Sequence, residues 1–258
     1  MTKIIKAPPP PQSDWAYFLN VDGTLIDLAR TPAEIRVDQA LLDLVSRVHL
    51  ETGGALALVS GRAIADLDAH LKLAHLPAAG QHGLERRDGQ GNLHRHMVSP
   101  VCCEAIAQIL GPLEPRHPGL RLERKGASFA VHYRQAPRLG GYLKRVLSRF
   151  VAQSGGLQLQ PGKKVFEIKP RGFDKGSAIR EFMGSTPFHG RMPVFIGDDL
   201  TDEHGFAAIN ELGGVSIKVG PGKSRAKHRL VDVRSVRDWL GEIDARQVSD
   251  KGWHDEKH

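Results

Sequence analysis

Short apolar runs alternate, at both ends of the chain, with segments whose apolar residues recur every three or four positions. The first pattern marks buried strands bounded by turns, and the second marks helices with one apolar face. Trp15–Val21 (WAYFLNV) predicts a strand closed by Asp22, Gly23 and Thr24. Leu41, Leu44, Val45 and Val48 predict a helix within 37–50, ended by Thr52, Gly53 and Gly54. Ala55–Val59 (ALALV) predicts the next strand, followed by Ser60, Gly61 and Arg62, and Ile64, Leu67 and Leu71 mark a second helix. Residues 78–83 read as a third strand with its loop. Near the other end, Pro193–Ile196 (PVFI) predicts a strand ended by Gly197, Asp198 and Asp199. Thr201 is positioned to cap a helix reaching Ile209, and Val215–Val219 predicts one more strand. Apolar strands alternating with amphipathic helices imply an α/β fold, a Rossmann-like parallel sheet with helices on both faces.

The middle of the chain breaks this alternation. Residues 84–97 carry Asp88-Gly89 between alternating segments, a hairpin signal. Residues 101–113 and 139–151 read as helices, and 120–123, 127–134, 157–160 and 165–169 as strands. An inserted α+β domain is therefore expected at 99–172, between a first core part at 1–98 and a second at 173–258. The prolines at 8–11 predict an exposed extended tail within 1–13.

Composition narrows the function classes. The 258 residues are 40% hydrophobic and 25% charged, with both signs interspersed, which suits a globular protein and not a disordered one. No run approaches the ~20 apolar residues of a membrane helix. Cys102 and Cys103 are adjacent, which suits two small apolar side chains in a reduced compartment. No secretory signal opens the chain, so a cytoplasmic protein is expected. The net charge of +7 raises nucleic acid as a partner, and Lys218, Lys223, Arg225, Lys227 and Arg229 form a basic cluster. Yet no finger spacing or aromatic-plus-basic RNA motif accompanies them, so the cluster reads as a solvated helix face. A small phosphorylated ligand accounts for the charge equally well.

Four polar clusters fall at the expected C-terminal ends of strands, the edge where open parallel sheets bind ligands. In Asn20-Val21-Asp22-Gly23-Thr24, strand alternation puts Asn20 and Asp22 on one side. Ser60-Gly61-Arg62 offers a hydroxyl and free backbone N–H groups at a strand-to-helix junction, which suits a phosphate oxygen. Asp174-Lys175-Gly176 opens a helix with an ammonium group. Asp198, Asp199 and Asp202 crowd three carboxylates into five positions, and oxygen ligands in such number suit Mg²⁺. Singly, each cluster is as well explained by a turn or a capped helix start; their shared placement is what points to one site.

Together N-V-D-G-T, S-G-R, D-K-G and G-D-D-L-T-D resemble the motifs of the haloacid dehalogenase superfamily of phosphohydrolases. The segments ALALVSGR, GQHGLERRDG, LERKGASFAVHYRQAP, QPGKKVFEIKPRG and PVFIGDDLTDEHGF are similar to those of bacterial trehalose-6-phosphate phosphatases, over about residues 15–240. The resemblance implies a core with a cap domain that closes over the sugar, and the last step of trehalose biosynthesis through an aspartyl-phosphate. Position 20 would supply the nucleophile. Asp22 would protonate the leaving sugar oxygen and then activate water, and Ser60 and Lys175 would hold phosphoryl oxygens. Gly23, Thr24, Gly61 and Arg62 would belong to the substrate-binding set. Mg²⁺ would sit on position 20, the Asp22 carbonyl and Asp198, with Asp199 and Asp202 as ligands or outer partners. In the cap, Glu123, Lys125 and Glu167 would bond the glucose rings, assisted by His132 and Arg134, and His82 would neighbour the site. A monomer binding a sugar phosphate, with no nucleic acid or membrane partner, is the expectation.

One residue departs from this pattern. Asn20 stands where the family has its nucleophilic Asp. A neutral amide is a poor nucleophile toward phosphorus, though it can still lend its carbonyl oxygen to a metal, so binding without turnover is expected. A substitution introduced to trap substrate and a natural pseudoenzyme both fit. Retention of Asp22, Ser60, Lys175, Asp198 and the cap residues favours the first. A different capped sugar phosphatase, and a sugar-phosphate sensor, are the alternatives on function.

Overall fold

The computed structural model describes residues 6–27, 37–125, 128–162 and 164–243. The elements are β1 (Ala16–Leu19), α1 (Gln39–Glu51), β2 (Leu56–Val59), α2 (Ile64–Leu71), β3 (Ala78–Gly80), β4 (Glu85–Arg87), β5 (Leu93–Arg95), α3 (Pro100–Leu110), β6 (Arg121–Lys125), β7 (Ser128–His132), α4 (Gly140–Ser154), β8 (Leu157–Gly162), β9 (Val165–Pro170), α5 (Lys175–Met183), β10 (Pro193–Gly197), α6 (Asp202–Glu211), β11 (Val215–Val219), β12 (His228–Leu230) and α7 (Val233–Gly241). They form two compact units, one from the residues up to His94 and from Asp174 onward, the other Arg95–Phe173. The sequence set the corresponding edges at 99 and 172.

The larger unit is an α/β core around a sheet in the order β12-β11-β10-β1-β2-β3-β4-β5. Its strands from β12 to β3 run parallel, and β4 pairs antiparallel with β3. Every residue of β1, β2 and β10 is buried, as strands covered on both faces must be. Alternation sorts their side chains. Tyr17 and Leu19 pack with Leu41, Val45 and Val48 of α1, Leu67 of α2 and Trp239 of α7. Ala16 and Phe18 pack with Ile179 and Phe182 of α5 and Phe206 of α6. The 84–97 hairpin supplies β4 and β5, which extend this sheet. Asp38 starts α1 by accepting from the Leu41 N–H at 2.7 Å. Asp174 and Asp232 start α5 and α7, each in a reciprocal cap with the serine three residues on.

The smaller unit is a four-stranded antiparallel sheet, β6-β7-β9-β8. Phe129, Val131, Phe166 and Ile168 form a core with Cys103, Ile106 and Leu110 of α3 and Leu143, Leu147 and Val151 of α4. Both cysteines are free thiols.

Two expectations are corrected. The proline segment is no exposed tail: Pro11 is buried, and Trp239 Nε1 donates to the Pro9 carbonyl at 2.9 Å. Lys6 bridges His228 at the sheet edge, while residues 1–5 lie outside the described part. The basic cluster is not a helix face either. Lys218 is buried in β11, and Arg229 lies in β12. No described helix is long and apolar enough to cross a membrane.

Candidate functional site

Strand register builds the site. Leu19 pairs with Leu58 of β2 on one side and Ile196 of β10 on the other. The residues after all three strands therefore emerge together. Asn20 extends the ladder by one bond, its N–H reaching the Ile196 carbonyl at 2.9 Å. The chain then turns, with the N–H groups of Leu25 and Ile26 returning to the Val21 carbonyl at 2.9 and 3.1 Å. Gly23 makes the turn possible. Its φ is +75°, and a Cβ there would lie 2.1 Å from Asp198 Oδ2.

Asn20 is buried and spans the site. Its Nδ2 donates to Asp198 Oδ1 at 2.7 Å and to the Asp22 carbonyl at 2.8 Å, with Thr24 Oγ1 at 3.4 Å. Its Oδ1 accepts from Lys175 Nζ at 3.0 Å. These partners fix the amide's orientation, because a carboxylate can only accept and an ammonium can only donate. The carbonyl oxygen expected to serve a metal is thus turned to Lys175.

Asp202 anchors the loop after β10. It is fully buried, taking Lys175 Nζ at 2.6 Å on one oxygen and the N–H groups of Asp198 and Asp199 at 2.8 and 2.9 Å on the other. Burial pushes its carboxyl up to about 6 against the pull of Lys175. Asp199 caps the start of α6, accepting from the Thr201 N–H and hydroxyl at 2.8 and 2.7 Å and from the Asp202 N–H at 3.1 Å. Burial pushes Asp199 up, but the Lys175 charge and these bonds outweigh it and hold the group below the usual carboxylate range. Asp198 goes the other way: burial and the neighbouring Asp199 raise it, against hydrogen bonds from Thr24 and Asn20.

Asp22 is held from β2's side. Arg62 Nε and Nη2 grip both its oxygens at 2.7 Å, and Nη1 reaches Asp66 at 3.0 Å. The bidentate fork raises the Arg62 guanidinium further above its ordinary value, chiefly through Asp22. Ser60 is buried, and its Oγ accepts from the Arg62 N–H at 3.1 Å. The His82 ring closes over Gly61, where a Cβ would meet it at 2.6 Å. The structure thus brings together residues 20, 22, 24, 60, 62, 175, 198, 199 and 202.

In the smaller unit, Ala130 pairs with Glu123 on one side and Glu167 on the other, so all three share one sheet face. His132 Nε2 lies 2.8 Å from Glu123 Oε2, and the Ser128 hydroxyl donates to Glu167 at 2.5 Å. Glu123, His132 and Arg134 line a cavity of about 670 Å³. The Lys125 side chain lies outside the described residues.

The family model described as Trehalose-phosphatase matches residues 18–235. The chain belongs to the trehalose-phosphatase family. Within the family, it is 42% identical over 240 residues to the trehalose-6-phosphate phosphatase of Escherichia coli K12, spanning 93% of this chain and 90% of the relative. It is 40% identical over 209 residues to a probable trehalose-phosphate phosphatase of Sinorhizobium fredii, spanning 81% and 78%. A trehalose-6-phosphate phosphatase related protein of known structure matches with TM-score 0.64 at 27% identity, over 88% of this chain and 95% of that one. Aspergillus fumigatus trehalose-6-phosphate phosphatase shares the fold, with TM-score 0.71 at 21% identity over 92% and 94%.

Sequence reasoning missed two buried residues that hold the segments around these side chains. Lys218 Nζ donates to the Asp198 and Val219 carbonyls, the latter at 2.6 Å. Its signal was a lysine within a short strand, VSIKV, all of whose residues are buried. Buried Glu85 accepts from the Ile64 N–H at 2.6 Å and so starts α2, which Ala63 cannot cap. As for Mg²⁺, the oxygens expected to hold it do converge, but on the Asn20 amide nitrogen. Among the described residues no three His, Cys, Asp or Glu side chains gather as a ligand set. The residues as they stand do not fit the cation.

Proposed function

We propose that the chain binds trehalose 6-phosphate in a phosphoryl-transfer site and that Asn20 prevents its turnover. The observation carrying this reading is that Asn20, Asp22, Ser60 and Asp198 follow the tips of adjacent parallel strands and meet Lys175 from the start of α5, in a member of the trehalose-phosphatase family. Position 20 is where a carboxylate would attack phosphorus, and the amide has no charge to attack with. Lys175 and Ser60 would take phosphoryl oxygens, and Arg62, which already holds Asp22 and Asp66, gains a third anionic partner when a phosphate arrives, which loosens its hold on Asp22. Asp22 is then the group to carry a proton to or from the sugar oxygen. Gly23, Thr24 and Gly61 shape the phosphate pocket, while Glu123, Lys125, His132 and Glu167 read the sugar. A cytoplasmic monomer without nucleic-acid partners completes the proposal.

Reversion tests it. Asn20→Asp should release phosphate from trehalose 6-phosphate with Mg²⁺ present, and the Asn20 chain should be slower by several powers of ten, on the scale of ~10⁶ for loss of a covalent nucleophile. A reverted protein inert toward trehalose 6-phosphate would overturn the substrate. Equal rates across a panel of sugar phosphates would mean a generalist phosphatase instead.

A further inference from the structure

We infer that the Asn20 amide group takes the place of a divalent cation, so that this site is held together, and binds its ligand, without a metal. The inference rests on the functional reading above and deepens it. Two oxygens the family resemblance assigns to Mg²⁺, the Asp22 carbonyl and Asp198 Oδ1, both receive a hydrogen bond from Asn20 Nδ2, at 2.8 and 2.7 Å. Thr24 reinforces the arrangement, its hydroxyl donating to the same Asp198 oxygen at 3.1 Å. A Mg²⁺ ion ~2.1 Å from those oxygens would need the space that the NH₂ group fills. The amide does what the ion would do electrostatically: it presents positive charge density to a carboxylate and a carbonyl that otherwise face each other across the pocket.

The amide is locked at its other end. Its carbonyl accepts from Lys175, which is itself held by Asp202 at 2.6 Å. Rotating the amide to offer oxygen to a cation would set Nδ2 against the Lys175 ammonium, donor against donor, inside a buried site where neither finds water. An Asp at position 20 carries no such preference, because both its oxygens accept. It would take the Lys175 bond with one and leave the other facing Asp198, a pair of like charges that a cation relieves. One atom in the side chain, nitrogen for oxygen, therefore decides whether the pocket demands a metal or dispenses with it.

Two measurements test this. In the first, Mn²⁺ binding is followed by electron paramagnetic resonance on the Asn20 chain and on Asn20→Asp. The reverted protein should bind Mn²⁺ about tenfold more tightly or better, a change of the size seen when the groups around a metal site are altered. Trehalose 6-phosphate affinity of the Asn20 chain should be the same with and without Mn²⁺. Equal, tight Mn²⁺ binding by both proteins would overturn the inference and leave the functional reading standing. No Mn²⁺ binding by either would overturn both. The second needs no variant to fold: the side-chain ¹⁵N–H₂ resonances of Asn20 should stay unmoved by millimolar Mg²⁺. Their shift or loss on adding the ion would show the amide giving way and would refute the substitution.

Discussion

Lys218 lies within the fully buried strand VSIKV with its ammonium inside the protein, donating to the carbonyls of Asp198 and Val219. Burial lowers its proton affinity, offset in part by Asp198. Replacing it by Met keeps the stem's packing and removes the donor, leaving two carbonyls with one partner fewer. Lys218→Met should therefore cost about 1–3 kcal/mol of stability, read as a lower urea midpoint. An unchanged midpoint would mean that the ammonium contributes nothing to the loop after β10. This residue shows the limit of legibility at the smallest scale. The carboxylates of the GDDLTD loop announced themselves by crowding, whereas a single lysine in a short buried strand carries no mark of what it touches. Asn20 was legible as an oddity, but its bonds to Asp198, 178 positions away, and Lys175, 155 away, exist only after the strands align.

At the level of elements, helix starts connect parts distant in sequence. Asp38 caps α1 through one oxygen and takes Arg237 Nη1 of α7 on the other at 2.7 Å, and Arg237 reaches on to the Leu25 carbonyl at 3.1 and 3.0 Å. The Arg237 bond, more than the Leu41 N–H, holds the Asp38 carboxyl below its ordinary value. Asp38 is half exposed, so the ion pair is screened and the cap supplies most of the effect, about 1 kcal/mol. Because the folded-state carboxyl is depressed, its charge-dependent contribution is present above the ordinary carboxylate range and disappears as pH falls through the lowered value. Asp38→Ala should thus lower the urea midpoint at neutral pH, with a gap from the parent that narrows in acid. A gap independent of pH would show that the charge plays no part. The helices themselves were readable from apolar spacing, and α1 starts after the Asp38 that precedes that pattern. The start of α2 was not readable, since its capping carboxylate, Glu85, arrives from another strand.

Across the whole molecule, the shift from alternating strands and helices to antiparallel strands revealed an insert, because the two layouts leave different apolar periods. The N-terminal segment does not read as packed from sequence because the partners of Ala7 and Pro9, His228 and Trp239, lie at the far end of the chain. Each unit has a core of its own: the apolar residues of the smaller one all fall between Val98 and Ile168. Leu143 sits at its centre, fully buried between α4 and the sheet's apolar side chains. Leu143→Ala should remove about 2–5 kcal/mol from that core by leaving a cavity. If each core is a separate cooperative unit, amide hydrogen exchange should quicken across β6–β9 and α4 and stay unchanged in β1, β2 and β10, whose apolar neighbours are untouched. Faster exchange to the same degree in both sets would mean that the two cores unfold as one. That outcome would tie stability of the β6–β9 sheet to the strands that carry Asn20, Ser60 and Asp198.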